Sequence, residues 1–397
     1  MRMQREMSRM NNRKQVIIIQ TTVPTTLEAF FRGQLRWLQE HGFEVHAVSS
    51  PGDALSTVAQ REGVTVHAIE MSRSISPLAD LRSLFLLVRL YRQLRPGIVH
   101  GFTPKAGFLG MLASWIARVP IRAYTIFGIP PDRKKVINRI FYMIERISCT
   151  LAHVVFCESE SIRGLVLENN VASQVKTSVL AAWSLNTVSA ILDRSNSRVE
   201  DRRRLRKELC IPKDALVMGY VGRIVPDKGI QELLDSHRAL INEFPGLYLL
   251  LVGEFEREHP LSPAILRYLK SAPRLLCVGF QRDVASYLAV MDVLVHPSYR
   301  EGLPTAPLEA SAMGLPVVST DIPGCVDAVQ HGKTGILVPP RDSATLTDAI
   351  RMLLLDPKLR GQMGEAGRQL VLQCGNAMKT WEALLDRYKL LLSKSTA

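Results

Sequence analysis

No run of apolar residues in this chain approaches the ~20 that a bilayer-spanning helix needs. The basic start, Met1 to Lys14, is followed only by Val16-Ile-Ile-Ile, which is too short for the apolar region of a secretory signal and reads as a first strand. None of the six cysteines (Cys149, Cys157, Cys210, Cys277, Cys325, Cys374) forms Cys-x-x-Cys or a metal-ligand spacing. Reduced thiols in a cytosolic protein are therefore expected, not a disulfide framework or a zinc site. Asp-x-Asp is absent, and no acidic cluster suits a catalytic metal. Gly-x-Gly-x-x-Gly does not follow the first strand, which argues against a dinucleotide-dependent dehydrogenase. Aromatic residues are few, at 6%, and do not interleave with the basic ones, so no nucleic-acid partner is expected. No repeat with a period of 20–50 residues is evident.

What is present indicates a globular protein. Hydrophobic residues make up 47% of 397, enough for two or three domains with large cores. The net charge of +13 is uneven: residues 1–200 hold 25 Lys/Arg and 15 Asp/Glu, and residues 201–397 hold 25 and 22. A basic first half suits anionic lipid or a phosphorylated substrate. Strand-like runs alternate with helical patterns throughout. Candidate strands cover 15–20, 43–48, 97–100, 121–126 and 153–157, then 215–220, 247–252, 292–296 and 316–319. Such alternation predicts parallel sheets covered by helices. It breaks around 182–213, with a boundary expected near Asn186–Ser197. The expectation is an α/β protein with two doubly wound domains, 15–190 and 191–376, facing a cleft, and a final helical segment, 377–397. Ligands of such domains bind at the carboxyl ends of strands.

Two cassettes carry the chemistry. Val293-Leu-Val reads as a buried strand, and Pro297-Ser-Tyr-Arg-Glu-Gly-Leu-Pro-Thr-Ala-Pro-Leu-Glu309 follows it. Glu301 falls in a Gly/Pro loop and Glu309 in the first turns of the helix that the loop opens. Thr305 reads as the N-cap. A strand, a tight loop and a helix N-terminus form an anion site, and two acids beside it suit a ligand with both phosphate and hydroxyl groups. A nucleotide sugar has both. Earlier, Leu216-Val-Met-Gly-Tyr-Val-Gly222-Arg223 ends an apolar strand, and Lys228-Gly229 precedes a helix. An Arg and a Lys beside glycines after a strand make a second phosphate-binding corner. Either cassette alone is common surface; the ordered pair within one α/β pattern is specific.

From about Val16 to Tyr388 the chain resembles the retaining glycosyltransferases of family 4, which have the GT-B architecture. It is most similar to bacterial members that build capsule, O-antigen and related lipid-linked glycans. The likeness rests on Val16-Ile-Ile-Ile with Thr22-Val-Pro, Met71-Ser-Arg-Ser-Ile-Ser-Pro77, and Ile98-Val-His-Gly-Phe-Thr-Pro-Lys-Ala-Gly107. Val221-Gly-Arg, the Glu301 to Glu309 motif, Asp321-Ile-Pro-Gly-Cys325 and Gly335-Ile-Leu-Val-Pro-Pro340 complete it.

The resemblance implies sugar transfer from a nucleoside diphosphate, with uridine as the expected base, to a polyprenyl-diphosphate-linked saccharide, without cofactor or metal. Arg223 and Lys228 would stabilise charge on the departing diphosphate. Glu301 would contact the donor sugar and Glu309 the ribose. Gly222, the backbone of Gly302 and Leu303, and the Thr305 hydroxyl would complete the donor site. Phe280 stands where relatives place residues beside the base, or is a core aromatic. On the acceptor side the resemblance implies His100, Thr103 and Lys105, although a histidine ending a strand is often structural. The expected course is front-face attack with retention, and the departing phosphate helps to deprotonate the acceptor. The last helix, about Ala377–Leu392, crosses back to the first domain in the family.

Four departures from the family's pattern occur near the expected cleft. Relatives often show His-Thr-His-Thr-Pro-Lys where this chain has His100-Gly-Phe-Thr-Pro-Lys105. Phe127 stands where a histidine is common. Ala181-Ala-Trp183 replaces a glycine-rich segment. Val326 follows Pro-Gly-Cys in place of Arg. They leave open another acceptor or a non-catalytic partner with the same fold; a GT-B epimerase fits the motifs less well. Two basic, apolar segments, 81–95 and 132–146, read as core helices with a basic outer face or as interfacial helices. Arg133, Lys134, Lys135 and Arg139 beside Ile140, Phe141 and Ile144 would dock the protein on the anionic inner face of the cell membrane.

Overall fold

The computed structural model describes residues 14–72, 76–130, 136–180, 188, 191–192, 198–256, 260–374 and 377–395. The chain divides into two units. Met1–Glu158, Arg163–Asn186 and Met378–Ala397 make up the first, and Ser159–Ile162 with Thr187–Ala377 the second. Of the expected boundary, only residues 188 and 191–192 fall among the described ones.

The first unit is built on β1 (Gln15–Gln20), β2 (Phe43–Ser49), β3 (Thr65–Ala68), β4 (Ile98–Phe102), β5 (Ile121–Ile126), β6 (Val154–Cys157) and β7 (Thr177–Val179). They form one sheet in the order β3-β2-β1-β4-β5-β6-β7. Every pairing is parallel. Strands buried on both faces need apolar residues at consecutive positions, which is why Ile17, Ile18 and Ile19 follow one another without alternation. The crossovers are α1 (Pro24–Phe30), α2 (Gln34–Glu40), α3 (Asp53–Glu62), α4 (Pro77–Leu94), α5 (Pro104–Ile116), α6 (Val136–Leu151) and α7 (Glu160–Glu168). Helix α5 packs between α4 and α6. Strand order reverses between β1 and β4, so right-handed crossovers place these three helices on the face opposite α1–α3.

The second unit has β8 (Val217–Val221), β9 (Tyr248–Val252), β10 (Leu275–Cys277), β11 (Val293–His296), β12 (Val317–Thr320) and β13 (Gly335–Val338), in the order β10-β9-β8-β11-β12-β13. Its pairings are also parallel. The helices are α8 (Arg198–Glu208), α9 (Ile230–Leu240), α10 (Pro263–Ser271), α11 (Val284–Val290), α12 (Thr305–Ala312), α13 (Cys325–Ala328), α14 (Ser343–Leu355) and α15 (Pro357–Cys374). Two cores flank this sheet, one around Leu250, Leu288 and Leu294, the other around Leu249, Leu233 and Ile350. Helix α16 (Ala377–Ser395) closes the described chain. Its Leu384, Leu385 and Tyr388 are buried with Ile17, Val45 and Phe102 in the core of the first unit.

Both units are Rossmann-like, as the strand pattern predicts. All nine predicted strands are present within a few residues. The four that the pattern missed, β3, β7, β10 and β13, are the four sheet edges.

Candidate active site

In the second unit strand order reverses between β8 and β11. Neighbouring strands there send their following chains apart, which opens a crevice at their carboxyl ends. Both predicted cassettes emerge at this point, Arg223 after β8 and Glu301 after β11.

Two glycines allow the loops to meet. Gly229 has φ +69°, and a Cβ there would lie 2.0 Å from the Pro297 carbonyl oxygen. Gly324 has φ +86°, and its Cβ would lie 2.4 Å from the Gly302 carbonyl oxygen. Only glycine fits such positions. The first brings the Pro226–Lys228 turn against the loop after β11, where the Tyr299 N–H donates to the Asp227 carbonyl at 2.9 Å. The second seats Pro323-Gly324-Cys325 against Glu301 and Gly302, a reason for that segment's composition.

The result is a buried charge cluster. Lys228 Nζ lies 2.5 Å from Glu301 Oε1, with side chains 13% and 12% exposed. His296 Nε2 lies 2.8 Å from the same oxygen. Burial alone would raise the Glu301 pKa, but the Lys228 ammonium and the His296 ring outweigh it and hold the carboxyl well below the usual carboxylate range. Burial, then the nearby Glu301 charge, pushes the Cys325 thiol up to about 12. Arg223 stands apart from this cluster. Its Nη1 lies 2.9 Å from Glu256 Oε2, and its side chain is half-exposed.

The remaining predicted donor residues lie in the same unit. Gly222 follows β8, and Gly302 and Leu303 follow Glu301 directly. Helix α12 begins at Thr305, so the N-cap is Pro304 and the predicted cap is one residue off. Pro304 has no capping side chain, so no cap hydrogen bond forms at this helix start. Glu309 is buried within α12. Phe280 is 63% exposed, which settles its alternatives against a core aromatic.

The predicted acceptor residues lie in the first unit, and their side chains are engaged within it. His100 is fully buried; Tyr388 of α16 hydrogen-bonds its Nδ1 and Thr125 its Nε2. Burial holds its pKa well below the ordinary value. It ties α16 to β4 and does not face a diphosphate, which corrects the expectation. Lys105 Nζ pairs with Asp80 Oδ2 of α4 at 2.5 Å, both largely buried. The Thr103 hydroxyl bonds to that of Thr22 at 2.6 Å and closes the β1–β4 switch point of this unit. Phe127, where relatives often carry histidine, packs with Phe30 and Phe102 at ring distances of 6.0 and 6.1 Å.

Arg133, Lys134, Lys135 and Trp183 lie outside the described residues. Arg139 is exposed on α6. On that helix Ile140, Met143 and Ile147 face outward, whereas Phe141 and Ile144 are half-buried. Sequence reading overlooked His296, Asp80 and this outward stripe. His296 had a signal, a histidine at the end of a strand five residues before Glu301.

Two parallel Rossmann-like sheets, with an acid–lysine cluster at one switch point, define a GT-B glycosyltransferase. Residues 201–370 match the family described as Glycosyl transferases group 1, and residues 25–183 match the Glycosyl transferase 4-like domain. The capsular polysaccharide biosynthesis glycosyltransferase CapM of Staphylococcus aureus is 32% identical over 92% of this chain and 94% of its own. A Campylobacter jejuni relative, N,N'-diacetylbacillosaminyl-diphospho-undecaprenol alpha-1,3-N-acetylgalactosaminyltransferase, is 28% identical over 81% of this chain and 85% of its own. Among solved structures, Anabaena HepE in complex with UDP and glucose superposes with a TM-score of 0.76 at 18% identity, covering 95% of this chain and 99% of that one. The chain belongs to the group 1 glycosyltransferases and is an enzyme of that class.

Proposed function

We propose that the enzyme belongs to the retaining family 4 and transfers a hexosyl or N-acetylhexosaminyl group from a UDP-sugar to a polyprenyl-diphosphate-linked saccharide. The observation that carries this is the Lys228–Glu301–His296 cluster at the β8–β11 switch point, with Arg223 following β8 and paired with Glu256. The leaving diphosphate is already a good leaving group. Catalysis then needs fixed positive charge more than an acid, and Arg223 and Lys228 supply it. Glu301 accepts from sugar hydroxyls, and Glu309 from the ribose. Gly302, Leu303 and Thr305 meet phosphate or sugar at the start of α12, Gly222 lets the chain pass close to the donor, and Phe280 covers the base. The UDP complex of HepE and the diphospho-undecaprenol acceptor in the Campylobacter relative's name support the choice of donor and acceptor classes. In this scheme the second unit binds the donor and the first the acceptor.

Thermal-shift measurements with UDP, GDP and ADP test the donor. UDP at 100 times its Kd should stabilise the protein by roughly 2.7 kcal/mol, and the other two by less. Transfer of radiolabelled sugar to a polyprenyl-diphosphate-linked saccharide tests the acceptor. No shift with any nucleotide would sink the proposal.

The acceptor's diphosphate lies at a leaflet surface, and peripheral docking through the first unit follows. Among the described residues no helix is long and apolar enough to cross a membrane. Helices α4, α5 and α6 form one layer. Its outer side shows Leu78, Leu81 and Phe85 of α4, Trp115 of α5, and Ile140, Met143 and Ile147 of α6. Exposed Arg82, Arg89, Arg139 and Arg146 flank them. Each cation near an anionic surface contributes ~1 kcal/mol, and apolar side chains add shallow insertion. Binding to phosphatidylglycerol vesicles should exceed binding to phosphatidylcholine vesicles and fall with salt. Neutralising Arg133, Lys134, Lys135 and Arg139, together with Leu81→Glu and Phe85→Glu, should release the protein with UDP affinity unchanged. If that variant sediments with vesicles as wild type does, the docking face is wrong.

A further inference from the structure

His296 ends β11 and is buried. Its backbone is held by the β11–β12 ladder, and the Ser319 hydroxyl donates to its carbonyl at 3.0 Å. Its ring lies parallel to that of Tyr220, centroids 6.5 Å apart and planes 10° apart. The Tyr220 hydroxyl in turn donates to the Arg223 carbonyl at 2.6 Å. The imidazole is therefore fixed at the backbone and along its face, with little freedom to follow a moving partner.

Its nitrogens are used unequally. Nδ1 is buried with no hydrogen-bond partner among the described residues. Nε2 lies 2.8 Å from Glu301 Oε1. An unpartnered buried N–H costs more than an unpartnered lone pair, so the proton belongs on Nε2 and points at the carboxylate. Lys228 Nζ takes the same oxygen at 2.5 Å. Two donors converge on Oε1, one from the Pro226–Lys228 turn and one from the end of β11, and neither takes Oε2. One donor would leave the carboxylate free to swing about its contact. Two fix its plane and aim the other oxygen.

We infer that His296 is a positioning residue: with Lys228 it locks Glu301 through Oε1 so that Oε2 is presented to a hydroxyl of the donor sugar. Lys228 is drawn toward the diphosphate when donor binds, because phosphate oxygens compete for its ammonium. His296 is held at its backbone by the β11–β12 ladder and has no such competitor. It holds the carboxylate at the moment when Lys228 is shared. This inference rests on the UDP-sugar donor proposed above.

The test separates positioning from simple packing. Wild type is first matched to the fastest-hydrolysed donor among UDP-glucose, UDP-galactose and their N-acetyl analogues. His296→Leu fills the space without a donor group. It should lower kcat for that donor by ~10–100-fold, the scale of a misplaced contact group. Affinity for UDP, which lacks the sugar, should stay within about twofold of wild type. His296→Gln places an amide N–H near Nε2 and should recover most of the loss. In a Glu301→Gln background, His296→Leu should cost less than about twofold more, since its effect passes through Glu301. Should His296→Leu fail to fold, His296→Asn carries the test, because its amide ends near Nδ1 and cannot reach Glu301. Wild-type kcat in the Leu or Asn variant would overturn the inference. So would equal losses of kcat and UDP affinity in both the Leu and Gln variants, the mark of a packing residue. A wild-type enzyme that neither binds UDP nor turns over any UDP-sugar would overturn the donor proposal and this inference with it, a result distinct from an active wild type beside an unaffected variant.

Discussion

Lys228→Ala is expected to lower turnover by on the order of 10²–10³ and to lower the melting temperature as well. Two effects combine. The ammonium is the nearest fixed cation to the acid of the β8–β11 crevice, and its loss removes stabilisation of charge on a departing diphosphate. It is also the leading partner of a carboxylate that is only 12% exposed. Removing one member of a buried pair typically costs 3–5 kcal/mol, because the other charge stays in the interior. His296 remains, so the penalty should fall at the lower end of that range.

The Glu301 carboxyl is held low in the folded protein. Its ion pair therefore contributes stability above the ordinary carboxylate pKa, and that contribution fades as pH falls toward the folded value. Lys228→Ala should bring acid unfolding to a higher pH. Arg223→Ala is the control. Its pair with Glu256 is half-exposed, a kind of contact worth ~0–1 kcal/mol, so turnover should fall with little change in melting temperature. Wild-type turnover in the double alanine variant would remove both residues from the mechanism.

Glu145→Gln should stabilise the first unit at neutral and alkaline pH and leave it unchanged in acid. Glu145 is buried on α6 and accepts a hydrogen bond from the Tyr124 hydroxyl at 2.8 Å. Burial pushes its pKa up to about 7, against the smaller opposing pull of that hydrogen bond. A carboxyl raised in the folded state binds its proton more tightly there than in the unfolded chain. Its stabilising contribution is full below the ordinary glutamate value and is lost as pH rises through about 7. Glutamine matches the protonated acid in shape and never ionises. The variant's advantage should be absent near pH 4, grow through the neutral range, and level off at roughly 3 kcal/mol by pH 8. Melting temperatures of the two proteins across that range provide the measurement. Parallel curves would mean that Glu145 is solvated or paired in solution.

The central strands were legible because burial on both faces forces consecutive β-branched and leucine residues, as in Val16-Ile-Ile-Ile and Leu216-Val-Met. The edge strands were not. In β3, Thr65-Val-His-Ala68 lies half in solvent, so its residues show neither an apolar run nor a clean alternation. In β10 and β7 only three residues pair. Edge strands owe their pairing to one neighbour, and that neighbour lies elsewhere in the chain.

Site residues divide the same way. Arg223, Lys228, Glu301 and Glu309 were legible because each cassette couples a strand end to glycines and a helix start within a few residues. His100 has a similar local setting and misleads. What separates it is Tyr388, almost three hundred positions away.

By itself the sequence determined the α/β class, two parallel sheets, and the positions where phosphate-binding cassettes follow strands. These are local matters, decided by consecutive burial and by glycines that allow backbones to approach. Only the tertiary structure decided which charged groups are partnered. Lys105 is neutralised by Asp80, Lys228 and His296 converge on one oxygen of Glu301, and Arg223 turns to Glu256. Pair energies depend on ångström-scale distances between loops set by different strands, and on how much water is excluded around them. Neither quantity is written in the order of residues along one segment.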